Sequence, residues 1–446
     1  MNKKFTYIAL LAFFLMATAF VVLRYNAKVQ NNTNAFYPLK DRKGPLAQMH
    51  EWKLVKEKGE KLIRIVRETP TDLKSTLALA TIYIQEGRAT GDNTYYNEAA
   101  LKYINNVLTA EPNNFEALML KSVVELSQHH FAEGLQTAEK AKSINPYNAY
   151  VYGLITDGNV EMGAYEAAVE SLDKMVSIRP DLRSYSRISY LREIHGQTEA
   201  AITAMKMAVE AGFPGEEGTE WARVQLAQLY ERTGDLKNAE FQYATSLNER
   251  PGYAYAIAGL GNISVAKKDY AKAIEQYSQA IAVLNDYSFR EGLARAYLLK
   301  GDQQKAEEII NTMVDDLSAA AAEGEEGANH HSDHELASVY LLKDNPAKAV
   351  QHALQEYNRR PKNIDVAELV AWCHYKNGDA VKALPYLQTA LQTGSKNPVL
   401  LCRAGVIYAQ SGDKVKAKSL LQDGLKTDPT IDPFLKKEAM LIFNKL

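Results

Sequence analysis

Four prolines, Pro112, Pro146, Pro180 and Pro214, stand 34 residues apart, and similar residue classes recur between them. A fixed period of this length constrains the fold more than any other feature. Each period must be one supersecondary unit that buries its apolar face only against its neighbours. The clearest copy runs from Thr219 to Pro251. Within it Leu226, Ala227 and Tyr230 share one helical face at i, i+1 and i+4. Gly234-Asp235 then breaks the pattern, because glycine accepts a left-handed backbone and Asp235 can cap the following helix. Ala239, Tyr243 and Leu247 recur every four residues, and Pro251 ends the unit because it cannot continue a helix. The spacing predicts two amphipathic helices around a tight turn.

The pattern extends far along the chain. Pro251 opens a unit with Ala273, Tyr277 and Ala280, while the 21-residue interval from Tyr230 to Pro251 returns as Tyr340 to Pro361 and Tyr408 to Pro429. A small residue, an aromatic three positions on, a turn glycine, a second small residue and a closing proline make up each full unit. Ala227, Tyr230, Gly234, Ala239 and Pro251 supply them in the clearest copy, and Gly405, Tyr408, Gly412, Ala417 and Pro429 in the last. This pattern resembles the tetratricopeptide repeat (TPR) family. The resemblance implies an all-α fold, a right-handed superhelical α-solenoid of about ten helix-turn-helix repeats over residues 71–429. Residues 44–70 are expected as an N-terminal capping helix and 430–446 as a C-terminal one. Three units look irregular. The first carries extra residues Arg88 to Tyr95 between its helices, and the fourth has Glu193 where the aromatic belongs and Ile202 where a small residue is expected. The seventh runs into a long helix ending near Ala319–Ala322.

The N-terminus is of another kind. Lys3 and Lys4 precede an almost uninterrupted apolar run from Phe5 to Leu23, closed by Arg24. As a helix this run spans about 28 Å, close to the hydrocarbon thickness of a bilayer. Residues 1–24 are therefore expected to be an uncleaved signal anchor, with a cleaved signal peptide at Ala17-Thr18-Ala19 as the alternative. Either reading sends the rest of the chain to the extracytoplasmic side of a bacterial envelope, as an anchored or a secreted periplasmic protein. No cysteine follows the run, which excludes a lipoprotein anchor. The polar stretch 25–43, containing Pro38, reads as a linker.

The chain has 446 residues with 52 basic and 54 acidic side chains. This balance and the absence of a basic block argue against a nucleic-acid partner. No phosphate loop, nucleophile elbow or zinc-type cysteine pair occurs, so neither an enzyme, a cofactor nor a small-molecule substrate is expected. Cys373 and Cys402 fall on predicted helices of neighbouring repeats, where small apolar residues pack. His330, His331 and His334, with Asp333, could hold a divalent metal. The competing reading makes Ser332 or Asp333 a helix cap and leaves the histidines as exposed loop residues, since neighbours at a loop–helix junction point in different directions.

The family resemblance places function on the concave wall built by the first helix of each repeat. By register the inward positions are Tyr150, Asp157, Arg187, Trp221, Gln228, Arg232, Tyr255, Asn262, Arg295, Glu368, Trp372 and Tyr375. Aromatic and arginine side chains are the anchors that dominate protein recognition. The implied function is a non-enzymatic scaffold that binds a protein or peptide in the groove. The alternative is a recruiting subunit of an envelope enzyme or of a secretion or glycan-assembly complex. No unit has the lysine–asparagine spacing of the clamp that grips chaperone C-termini.

Overall fold

The computed structural model describes residues 36–322, 329–426 and 431–446, together with Phe14 and Thr18. Every regular element among them is helical. A short turn of helix, α1 (Gly44–Ala47), precedes α2 (His50–Glu68). Ten antiparallel hairpins follow in tandem. They are α3 (Leu73–Thr90) with α4 (Asn93–Ala110), α5 (Phe115–Ser127) with α6 (Phe131–Ile144), and α7 (Ala149–Glu161) with α8 (Tyr165–Ile178). Next come α9 (Leu182–Ile194) with α10 (Thr198–Glu210), α11 (Glu217–Arg232) with α12 (Leu236–Glu249), and α13 (Ala254–Ala266) with α14 (Tyr270–Val283). The series continues with α15 (Tyr287–Lys300) and α16 (Gln303–Ala322), α17 (Asp333–Leu342) and α18 (Pro346–Arg359), and α19 (Ile364–Lys376) and α20 (Ala380–Ala390). The last hairpin is α21 (Pro398–Gln410) with α22 (Lys414–Lys426), and α23 (Pro433–Phe443) closes the chain.

The turn inside each hairpin shows how sequence becomes local structure. One residue there takes a left-handed backbone: Gly91, Gly163, Gly196, Gly234, Gly301, Gly378 and Gly412 in seven hairpins. Three others place a side chain in that conformation, His129, Lys268 and Asp344, at a cost of about 1 kcal/mol each. In the later hairpins the next residue caps the second helix. The Asp235 carboxylate accepts from the Asn238 amide at 3.1 Å, and Asp269, Asn345 and Asp379 repeat the contact.

Four residues into every second helix except α4, where Tyr96 stands, is a small residue against the partner helix. Ala168, Ala201, Ala239, Ala273, Ala306, Ala349, Ala383 and Ala417 are all fully buried. Gly134 takes the place in α6, where a Cβ would lie 2.8 Å from the Leu126 side chain. Backbones can cross closely only where side chains are this small. The fourth unit therefore has its small residue in place, because Ala201 and not Ile202 occupies the crossing. The extra residues 88–95 are not an insertion between helices: they lengthen α3 and α4 to 18 residues each.

The N-terminal expectations change in part. The expected membrane segment lies outside the described residues except for Phe14 and Thr18, which are helical. Among the described residues no helix is long and apolar enough to cross a membrane. Residues 36–43, the end of the expected linker, lie against α3 and α4. The Tyr83 hydroxyl donates to the Tyr37 carbonyl, Tyr37 donates to Glu98 at 2.7 Å, and buried Arg42 donates to Glu86 at 2.9 Å. Cys373 and Cys402 are both fully buried, and burial pushes the Cys373 thiol up to about 12.

The array also meets itself. Contacts recur between residues 199 to 203 apart in sequence, which is the length of about six repeats. Arg250 donates to Glu51 at 3.2 Å, the Asn363 amide to the Glu161 carbonyl at 3.0 Å, and the Ile364 amide to the Tyr165 hydroxyl at 2.9 Å. Arg360, itself buried, bridges Glu356 and Glu161. Gly163 approaches the Lys362 backbone so closely that a Cβ would overlap the Lys362 carbonyl. Successive turns of the solenoid therefore touch, and the space inside the first turn becomes a walled lumen.

Candidate functional site

The lumen encloses about 1990 Å³ and is lined from α1 round to α16, with His330 at its far edge. Its wall carries eight arginines, ten carboxylates and no lysine. Most of these charges are paired, and three of the pairs join neighbouring helices. The Arg187 guanidinium donates from Nε to Asp157 at 2.8 Å, Arg232 pairs with Glu193, and Arg290 with Asp316. Burial opposes the charge on Arg187, but Asp157 beside it outweighs this, and the pKa is raised. The paired, mixed wall differs from the continuous basic track that follows a nucleic-acid backbone.

Six of the twelve expected groove residues line this lumen: Tyr150, Asp157, Arg187, Trp221, Arg232 and Tyr255. The Arg183 guanidinium lies 4.9 Å from the Tyr150 ring, and Tyr255 packs edge-on against Phe289 at 5.2 Å. Gln228 is not part of the wall. Gln225, one helical turn beyond Trp221, takes its place. Tyr190 and Phe213, which the register argument missed, also line the lumen and are exposed. Tyr190 follows Arg187 at i+3, the spacing that would have found it. Asn262 serves the wall's interior instead, accepting from the Tyr277 hydroxyl at 2.6 Å.

The four remaining positions sit under the C-terminal helix. Leu435 and Ala439 of α23 share a core cluster with Trp372, which is only 6% exposed. Tyr375 donates to Glu438 at 2.7 Å, and its hydroxyl pKa is raised by burial and by that carboxylate. Arg295 donates to Asp432, the residue that caps α23, at 2.7 Å. Glu368 accepts from Arg403 at 2.9 Å, and Arg403 in turn lies over the Trp372 ring. Trp372 and Tyr375 are thus not open anchors. The chain's own last helix covers them, because α23 turns inward instead of continuing the stack.

The histidine cluster also differs from its sequence reading. His330 and His331 are not exposed loop residues: they meet His129 and His130 from the α5–α6 turn. Ring centroids of His129 and His330 lie 4.2 Å apart, and those of His130 and His331 stack at 4.1 Å. The His331 amide donates to the Gln128 carbonyl at 3.1 Å, and the His129 Nδ1 lies 3.1 Å from the His331 carbonyl. His129, His330 and Glu335 each place one ligand atom within 4.8 Å of the other two. His334 is outside this group. Asp333 is held by His352 at 2.7 Å and by Arg359, which lowers its pKa against the opposing effect of burial. His129 was legible only as an anomaly, a histidine where other turns carry glycine.

Family models described as tetratricopeptide repeat match residues 258–324 and 374–433. No curated protein matches the sequence. Among solved structures, a tetratricopeptide repeat protein from Parabacteroides merdae ATCC 43184 is 15% identical, with 56% of this chain and 94% of that one covered at a TM-score of 0.43. YrrB, described as a TPR protein with an unusual peptide-binding site, is 19% identical, with 42% and 94% covered at 0.28. The human IFIT1 dimer with PPP-AAAA is 14% identical, with 85% and 89% covered at 0.44. These superpositions are too loose to transfer any residue or ligand. Arrays of such repeats serve in general as scaffolds for protein–protein interaction. The chain thus carries tetratricopeptide repeats: the family's own models match two stretches of it, within a row of ten helical hairpins.

Proposed function

We propose that this protein is a non-enzymatic scaffold that receives an extended segment of a protein partner in the lumen of its first turn. The observation that carries this is the wall itself. It combines a volume of about 1990 Å³ with Trp221, Tyr150, Tyr190 and Tyr255 set among paired charges. Because most of the arginines and carboxylates already satisfy one another, the aromatic faces are the groups with most to gain from a partner. A peptide backbone can meanwhile bond to Gln225 and to the rims of the ion pairs. The C-terminal half of the concave face takes no part, since α23 fills it.

The location belongs to the same proposal. The apolar run 5–23 behind Lys3 and Lys4 would hold the array at the membrane, with the repeats on the extracytoplasmic side. Fractionation tests this: recovery wholly from the cytosol would contradict it. A second reading, recruitment of a catalytic partner in an envelope enzyme, secretion or glycan-assembly complex, shares the lumen and differs only in what fills it.

A photo-crosslinking amino acid at Gln225 tests the binding mode in the protein's native host. The expected result is a discrete polypeptide adduct that disappears when Trp221 and Tyr190 are replaced by alanine. The same probe at exposed Val381 should give none. Adducts formed equally at both positions, or at neither, would overturn the proposal.

A further inference from the structure

We propose that His129, His330 and Glu335 form a site for one divalent transition-metal ion, of the class zinc and cobalt represent, that clips one turn of the solenoid to the next. Two imidazoles and a carboxylate, each offering one atom within 4.8 Å of the others, match the donor set such ions prefer. Atoms bound to one tetrahedral ion lie about 3.3 Å apart, so only a small rotamer adjustment is needed. The His129 Nδ1 is already 3.7 Å from the Glu335 Oε1.

An independent observation points to a ligand here. The Oε2 of Glu335 is buried and accepts no hydrogen bond. A carboxylate oxygen so placed costs free energy unless a cation or donor meets it.

The ligands come from two places about 200 residues apart, the α5–α6 turn and the start of α17. Occupancy would therefore tie the first turn of the coil to the second and close the lumen's edge, where His330 stands. The remaining coordination position falls to water; what makes the ion a clip is that its ligands come from two turns of the coil.

The test is isothermal titration of Zn²⁺ into the untagged, chelator-treated full chain, paired with melting curves. The expected result is one saturable equivalent and a rise in melting temperature. Glu335→Gln, which keeps the side chain's shape, and His129→Gln should each weaken binding by more than about tenfold, the least that loss of even an outer partner costs. Both should abolish the zinc-dependent rise. His334→Asn, which removes a histidine of the sequence cluster only, should leave the affinity unchanged. The proposal is overturned if the parent shows no saturable binding, or if Glu335→Gln and His129→Gln, folded by circular dichroism, bind zinc as the parent does.

Discussion

At the residue scale, the repeat rests on a few positions whose roles are set by space. Ala239 is fully buried where α11 and α12 cross, beside Tyr243, whose hydroxyl donates to Glu231 at 2.7 Å. Ala239→Arg should overpack the crossing and lower stability by about 1–3 kcal/mol or more, measured by chemical denaturation. An unchanged midpoint would remove Ala239 from the crossing. Asp235→Ala removes only a cap and should cost about 1 kcal/mol in the same assay. These positions were legible in the sequence because their causes are local. A turn glycine, a capping aspartate and a small residue at fixed offsets need nothing from elsewhere in the chain. The misreading of Ile202 for Ala201 was a register slip of one residue, within a motif otherwise read correctly.

At the element scale, α23 decides which part of the concave face is available. Register alone put Trp372 and Tyr375 on an open wall, since the helix periodicity of α19 points them inward. What the periodicity could not carry is that a segment some 60 residues later turns back over them. The contact is non-local and leaves no repeat signal. Removing residues 432–446 should uncover Trp372. In a variant with Trp52→Phe and Trp221→Phe, so that Trp372 alone emits, truncation should shift the fluorescence to longer wavelength. Emission at the same wavelength in both proteins would contradict the covering role of α23. The lumen residues Tyr150, Asp157, Arg187, Trp221, Arg232 and Tyr255 were readable for the opposite reason, since their helices carry nothing on top.

At the scale of the whole molecule, the coil is held by contacts about 200 residues apart, and these make it sensitive to pH. Burial keeps His129 and His330 near pKa 4 in the folded chain, against an ordinary value near 6.5. Between those values the unfolded or opened chain binds more protons than the closed one, so the closed form loses stability as pH falls through this window. Arg360, His130, His331 and His334 face the pair and oppose its protonation, while Glu335 and Glu356 favour it. Small-angle scattering should therefore report a larger radius at pH 4.5 than at pH 7.5, and the difference should shrink in a His129→Gln, His330→Gln variant. Gly163→Val should expand the coil at any pH, because a side chain there collides with the Lys362 backbone. No part of this closure was visible in the sequence beyond the odd histidine doublets at 129–130 and 330–331.

Turn-to-turn contact is the claim on which the lumen depends, and disulfide trapping tests it most directly. His130 and His331 stack at 4.1 Å from opposite turns of the coil. Cysteines at both positions, oxidised in dilute solution, should form a bridge within one molecule, seen as a faster-migrating band independent of protein concentration. If the double variant folds and yields only concentration-dependent dimers or no bridge, the turns do not touch and the walled lumen does not exist.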